Sequence, residues 1–152
     1  MKVTVLLRNE HETLKSLFDR FNKPSSGRPT NGKKDLFNDI QRELLIHSQV
    51  EQEIFYPALS STASARAVEL VTTAESEHRA AEKLLEELNA MNGSEKNFDT
   101  KVQELMDEVF RHIDMEEEAI FDEARKNLPE YRLEELGLEM EDRRKILTQL
   151  AA

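Results

Sequence analysis

Apolar side chains recur along this chain at spacings of three and four, in four separate stretches. From about residue 2 to 22, Leu7, His11, Leu14, Phe18 and Phe21 share one stripe, and from about 33 to 59 the stripe is Leu36, Ile40, Leu44, His47, Glu51, Ile54 and Ala58. A third stretch, about 64 to 91, carries Ala67, Val71, Ala74, His78, Ala81 with Glu82, Leu85 and Leu88. A fourth, about 96 to 127, carries Phe98, Val102, Leu105, Val109, His112, Glu116, Ala119 and Glu123. This spacing follows the 3.6-residue turn of an α-helix, so each stretch predicts a helix with one buried face. The four Gly and four Pro cluster where such helices should stop: Pro24 to Gly32, Pro57, Gly93, Pro129 and Gly137. Four amphipathic helices with short connections predict an all-α, up-down-up-down four-helix bundle. The segments Lys23 to Gly32 and Met91 to Glu95 read as exposed, mobile linkers.

Beyond Pro129, Leu133, Leu136, Met140, Leu147 and Leu150 continue among many charges, interrupted by Gly137. This predicts a shorter helix packed on the bundle, with a protein-binding segment as the alternative. The expected organisation is a metal-binding bundle over 1–128 and a short C-terminal helical extension over 129–152.

All four histidines of the chain lie on these apolar seams, in a place where polar groups are costly. Two of them open the matching stretches His47-Ser-Gln-Val-Glu51 and His112-Ile-Asp-Met-Glu116. Residues at i and i+4 of a helix stand on the same face, so each pair aims an imidazole and a carboxylate at one point. Two such pairs facing each other suit two metal ions. The spacing from His11 to His47 nearly repeats that from His78 to His112, which suggests a duplicated helical hairpin with like ligands on opposite walls. The plain alternative is a structural bundle with hydrogen-bonded core histidines.

Composition narrows the chemistry. With no Cys among 152 residues, disulfides, zinc-thiolate sites and iron-sulfur clusters are excluded, and any metal must be held by nitrogen and oxygen. A formal charge of -10 repels nucleic acid and anionic membranes. The absence of a signal peptide or membrane span in the sequence makes a cytoplasmic location the expectation. Imidazoles with carboxylates suit iron, with zinc or manganese as substitutes. A ferritin-type Glu-x-x-His spacing occurs only at Glu75 to His78, so that family is the weaker match.

The order His11, His47-x-x-x-Glu51, His78, His112-x-x-x-Glu116 resembles the hemerythrin family, specifically the hemerythrin-like proteins with an HHE cation-binding domain, over about residues 5 to 128. The resemblance implies a non-haem, oxo-bridged di-iron centre whose ligands are His11, His47, Glu51, His78, His112 and Glu116, with the two glutamates bridging. Oxygen-carrying hemerythrins place a further His one turn after the position of His78, where this chain has Glu82. Glu82 is therefore a candidate seventh ligand. An open or carboxylate-filled position disfavours simple oxygen carriage and favours chemistry with peroxide or dioxygen, with peroxide disproportionation as the concrete expectation. The alternative is a non-catalytic module that binds, senses or stores dioxygen, nitric oxide or iron. Leu7, Leu14, Leu44 and Val109 are expected to wall the pocket. Glu12, Glu53, Glu117 and Glu118 are expected to be solvated or to hydrogen-bond a ligand imidazole, and metal is expected to be lost as pH falls toward about 5.

Overall fold

A computed structural model describes residues 1–23 and 30–151. Helix α1 (Val3–Asn22) is followed by α2 (Thr30–Val50), which runs without a break through a π-helical turn, Glu51–Phe55, into α3 (Tyr56–Ser60). Helix α4 (Ala65–Asn89) is followed by α5 (Phe98–Met115), which continues through a second π-helical turn, Glu116–Ile120, into α6 (Phe121–Asn127). Helix α7 (Glu130–Ala151) closes the chain. Helices α1 and α2 pack as one hairpin, α4 and α5 as the other, and α7 lies against α1 and α2. This is the expected helical bundle, starting its second rod at Thr30 rather than near residue 33. Most of the first predicted linker, residues 24–29, lies outside the described residues. No helix among the described residues is long and apolar enough to cross a membrane.

The buried positions follow the sequence pattern closely up to the two π-helical turns, except that Phe37 is buried and Leu36 only half-buried, and then slip by one. On α1, α4 and α5 the buried stripe is the expected one, apart from Glu82. On the second rod, Phe55 and Leu59 are buried where Ile54 and Ala58 were expected. On the fourth, Ile120 and Ala124 take the places expected for Ala119 and Glu123. A π turn spends one extra residue, so every later side chain rotates relative to a regular helix. In both rods the backbone N–H five residues after the glutamate, from Tyr56 and Phe121, bonds the glutamate carbonyl. Glu123 instead accepts from the Ser64 hydroxyl at 3.0 Å, while Ser64 Oγ caps α4 by accepting from the Ala67 N–H at 3.0 Å.

The core divides into two apolar halves. One holds Leu7, Phe55, Leu59, Phe121 and the inner face of α7, and the other holds Leu14, Phe18, Phe37, Leu44, Phe98 and Val109. The four histidines, Glu51 and Glu116 occupy the layer between them.

Helix α7 corrects two expectations. It has 22 residues, more than the 20 of α1, and Gly137 does not interrupt it. Leu133, Leu136, Met140 and Leu147 are buried, whereas Leu150 is exposed. Gly137 is needed for close approach, since a Cβ there would meet the Met1 carbonyl oxygen at 1.9 Å and the Val3 nitrogen at 3.1 Å. Gly137→Ala is therefore expected to destabilise despite a helix-propensity gain of about 1 kcal/mol, because overpacking costs about 1–3 kcal/mol. A thermal melt that rises by several degrees would contradict this reading of the contact.

Candidate metal centre

Six polar side chains meet in the middle layer, and each is at least nine-tenths buried: His11, His47, Glu51, His78, His112 and Glu116. Donor atoms of His11, His47, Glu51 and Glu116 lie within 4.8 Å of one another, as do those of Glu51, His78 and His112. Glu51 belongs to both groups. His11 Nε2 is 2.9 Å from Glu116 Oε1, His47 Nε2 is 3.0 Å from Glu51 Oε1, and His78 Nε2 is 3.1 Å from His112 Nε2. All four imidazoles thus turn Nε2 inward.

The outward Nδ1 atoms are each held by a different residue. Glu117 faces His11 Nδ1 at 2.6 Å and Glu10 faces His47 Nδ1 at 2.8 Å. Gln52 faces His78 Nδ1 at 2.9 Å and Glu77 faces His112 Nδ1 at 2.9 Å. On His11, His47 and His112 the carboxylate acceptor puts the ring proton on Nδ1 and leaves the Nε2 lone pair facing the centre, as a metal requires, whereas the atom facing His78 Nδ1 is the Gln52 amide nitrogen, a donor. The arrangement has an approximate two-fold symmetry. The residue before each first histidine (Glu10, Glu77) orients the second histidine of its own hairpin, and the residue after each central glutamate (Gln52, Glu117) orients the first histidine of the opposite hairpin.

Of the four acids expected to be solvated or to hydrogen-bond an imidazole, Glu117 alone contacts one. Glu53 pairs with Arg143 at 2.7 Å, and Glu12 and Glu118 are exposed. Glu82 also departs from expectation: it is exposed and outside both donor groups, its place on the inner face being taken by Ala81. Glu10, Glu77 and Gln52 were missed, although the repeated Glu10-His11 and Glu77-His78 dipeptides carried the signal. Tyr56 was also missed. Its hydroxyl donates to Glu116 Oε2 at 2.6 Å and lies 3.3 Å from His78 Nε2 and 3.4 Å from His112 Nε2. The π turn brings it there, and the equivalent turn in the other rod presents Phe121, stacked on the His11 ring at 6.0 Å.

Burial opposes charge on His47 and His112, yet the Glu51 and Glu116 carboxylates beside them respectively more than offset this and hold both pKa values well above the ordinary 6.5. Burial likewise opposes the Glu51 carboxylate, but the charge of His47 and the other polar groups beside it hold its pKa well below 4.5. The Tyr56 phenol is pushed well above 10.0 by burial and by the charges of Glu116 and Glu51, so its Oη keeps its proton. The site is nevertheless incompletely satisfied by protein groups. Both Glu51 oxygens and His47 Nε2 are buried without a well-aligned hydrogen bond. Buried polar atoms are rarely left so, and a nitrogen–oxygen set converging on such atoms fits a cation.

A narrow opening with a cavity volume of only about 10 Å³, room for about one water molecule, reaches the layer between α2, α4 and α5. Its walls include Leu14, Leu44, Ala81 and Val109, and it touches His47, His78 and His112. Leu7, also expected to wall this pocket, is buried in the opposite apolar half.

Comparison with known proteins agrees with this geometry. A crystal structure of a hemerythrin HHE cation-binding domain-containing protein from Mycobacterium kansasii superposes with a TM-score of 0.86 at 25% identity, covering 99% of this chain and 90% of that one. A protein named DNA nickase from Nostoc sp. (strain PCC 7120) is 25% identical over 139 residues, which is 91% of this chain and 38% of that relative. The chain thus spans well under half the length of that relative. The profile of the hemerythrin HHE cation-binding domain matches residues 2–124, which include all four histidines and both central glutamates, and the chain belongs to that family.

Proposed function

We propose that the central layer holds two metal ions, iron in the first place with manganese or zinc as substitutes, and that the loaded protein reacts with peroxide. His11, His47, Glu51 and Glu116 would hold one ion, and His78, His112 and Glu51 the other, with Glu51 shared. The observation that carries this reading is Glu51 itself: fully buried, common to both donor groups, and with neither oxygen engaged in a hydrogen bond. Structural burial of a carboxylate would demand such bonds. Glu82 has no part in this assignment.

When bound, an iron pair supplies a reversible redox couple at which peroxide can be both oxidised and reduced, so that two peroxides yield one dioxygen and two waters. The chain's contribution is positional. The Nδ1 partners fix the imidazoles, the apolar layers on either side limit water, and the narrow opening admits only small molecules. The second donor group offers three residues against four in the first, and it faces both the opening and the Tyr56 hydroxyl, so substrate would meet the centre there. Tyr56 Oη is placed to donate a hydrogen bond without giving up its proton. Tyr56→Phe is expected to keep metal content unchanged and to slow peroxide turnover by about tenfold to a hundredfold. Equal turnover in the two proteins would remove Tyr56 from the chemistry.

Metal analysis of protein produced with iron, with an absorption spectrum and an oxygen electrode after peroxide addition, tests the whole reading. Close to two irons per chain with dioxygen evolution is expected. Two irons without dioxygen evolution would favour a binding or storage module for dioxygen, nitric oxide or iron, and metal at background would return the layer to a structural role. The DNA-nicking activity named for the Nostoc relative is not proposed here, because that protein is much longer and a charge of -10 opposes a phosphate backbone.

A further inference from the structure

Helix α7 stands outside the four-helix bundle, but one of its side chains reaches the metal layer's surroundings. Arg144 Nη2 lies 2.6 Å from both carboxylate oxygens of Glu43, and Nη1 lies 3.6 Å from Glu10 Oε1. That same Glu10 oxygen is the partner of His47 Nδ1 at 2.8 Å. Arg144 Nη1 and Glu10 Oε2 are both buried and make no hydrogen bond, so the guanidinium faces the acid as a countercharge rather than as an ordinary surface pair.

The approximate two-fold symmetry supplies an internal control. Glu77 stands to His112 as Glu10 stands to His47, but among the described residues no Arg or Lys lies within 4.0 Å of it. Its side chain is 16% exposed against 6% for Glu10, so water can solvate the one and hardly the other. Glu43 and Glu108 occupy matching places on α2 and α5, and the difference continues there. Glu108 pairs with exposed Arg111 of its own helix, whereas Glu43 pairs with Arg144 from α7. A buried carboxylate without a countercharge is costly and would turn toward solvent, and with it would go the constraint on the His47 ring.

We propose that Arg144 is a positioning residue for the metal centre: it holds Glu10 against His47 Nδ1, and so makes α7 a determinant of cation affinity at the position held by His11, His47, Glu51 and Glu116. This rests on the metal-centre reading above. Because the corresponding acid of the other hairpin has no such clamp, removing Arg144 should separate the two positions in affinity rather than weaken both alike.

The test is Co²⁺ titration of the metal-free full chain in competition with a chelator, followed by the visible absorption of bound Co²⁺. The wild type should bind two equivalents, and a wild type that binds none would sink the metal-centre reading itself. Arg144→Met is expected to bind one equivalent at least about tenfold more weakly and the other as before, in the range seen when residues that orient a metal ligand are lost. Arg143→Ala, which removes the exposed tie of α7 to Glu53 at 2.7 Å, should leave both affinities unchanged. Wild-type affinities in Arg144→Met, or an equal loss in Arg143→Ala, would overturn the proposal. In a Glu10→Gln background the Arg144→Met change should have no further effect on Co²⁺ affinity. This arm also separates positioning from loss of fold, since a persistent effect there would refute action through Glu10.

Discussion

Glu51→Gln is expected to reduce metal content to near background while the bundle stays folded, and Glu82→Ala to leave metal content unchanged. The contrast follows from placement. Glu51 is fully buried at the junction of the two donor groups, with His47 Nε2 at 3.0 Å and His78 Nε2 at 3.3 Å from the same oxygen. Gln keeps the shape but removes the charge that balances a divalent ion, and it does so for both positions at once. Loss of a residue that merely orients a ligand weakens metal binding by about tenfold to a hundredfold, so loss of a shared ligand should exceed the upper figure. The fold should survive because the two apolar halves around Phe55 and Phe121 and around Phe18 and Phe98 do not depend on this carboxylate. Metal analysis with far-ultraviolet circular dichroism on the three proteins checks both parts. Full metal content in Glu51→Gln would reject the shared-ligand assignment, and metal loss in Glu82→Ala would reverse the reading of its exposed position.

The positions of His11, His47, Glu51, His78, His112 and Glu116 were legible from the sequence because all six lie before the helices lose their regular period. The 3.6-residue rule carries a side chain to the correct face only while each turn closes on the fourth residue. Both π-helical turns begin at the central glutamates, so everything beyond Glu51 and Glu116 rotates, and the sequence reading put Ile54 and Ala119 where Phe55 and Ile120 are buried. Tyr56 became invisible for the same reason. Nothing in local composition announces these turns: Pro57 follows the first, but no proline follows the second until Pro129. Glu82, a candidate ligand by spacing alone, falls outside the cluster for a different reason. An i+4 rule from His78 holds to within one residue, and on α4 the inner face runs through Ala74, His78, Ala81 and Leu85, which leaves the next position in solvent. The orienting residues depend on contacts between helices, so spacing within one helix cannot reveal them, although the repeated Glu-His dipeptides could have been read as a sign of symmetry. Gly137 shows the limit of punctuation rules, since it serves the approach of Met1 and Val3 rather than a helix end.

Metal-free and metal-loaded protein are expected to respond to pH in opposite directions. Without metal, the folded pKa values of His47 and His112 are raised, so the stability these groups contribute is fully present below the unfolded value of 6.5 and is lost as pH rises through the folded values. Glu51 has the opposite sign: its contribution is present above the unfolded value of 4.5 and is lost as pH falls through its lowered folded value. The metal-free bundle should therefore be most stable between these two unfolded values and should weaken toward alkaline pH. The loaded protein behaves otherwise, because a cation binds the neutral imidazoles and must displace both protons. Its affinity should climb as pH rises toward the raised histidine values, by up to about a hundredfold per pH unit while two protons are released together. Loss of metal should accordingly begin at higher pH than ordinary histidines would allow, well before pH 5. Thermal melts of both forms across pH 5 to 9, with Co²⁺ affinity measured at each point, give the comparison. Parallel curves would show that His47 and His112 do not exchange protons for metal, and the cluster's role as a cation site would fail with them.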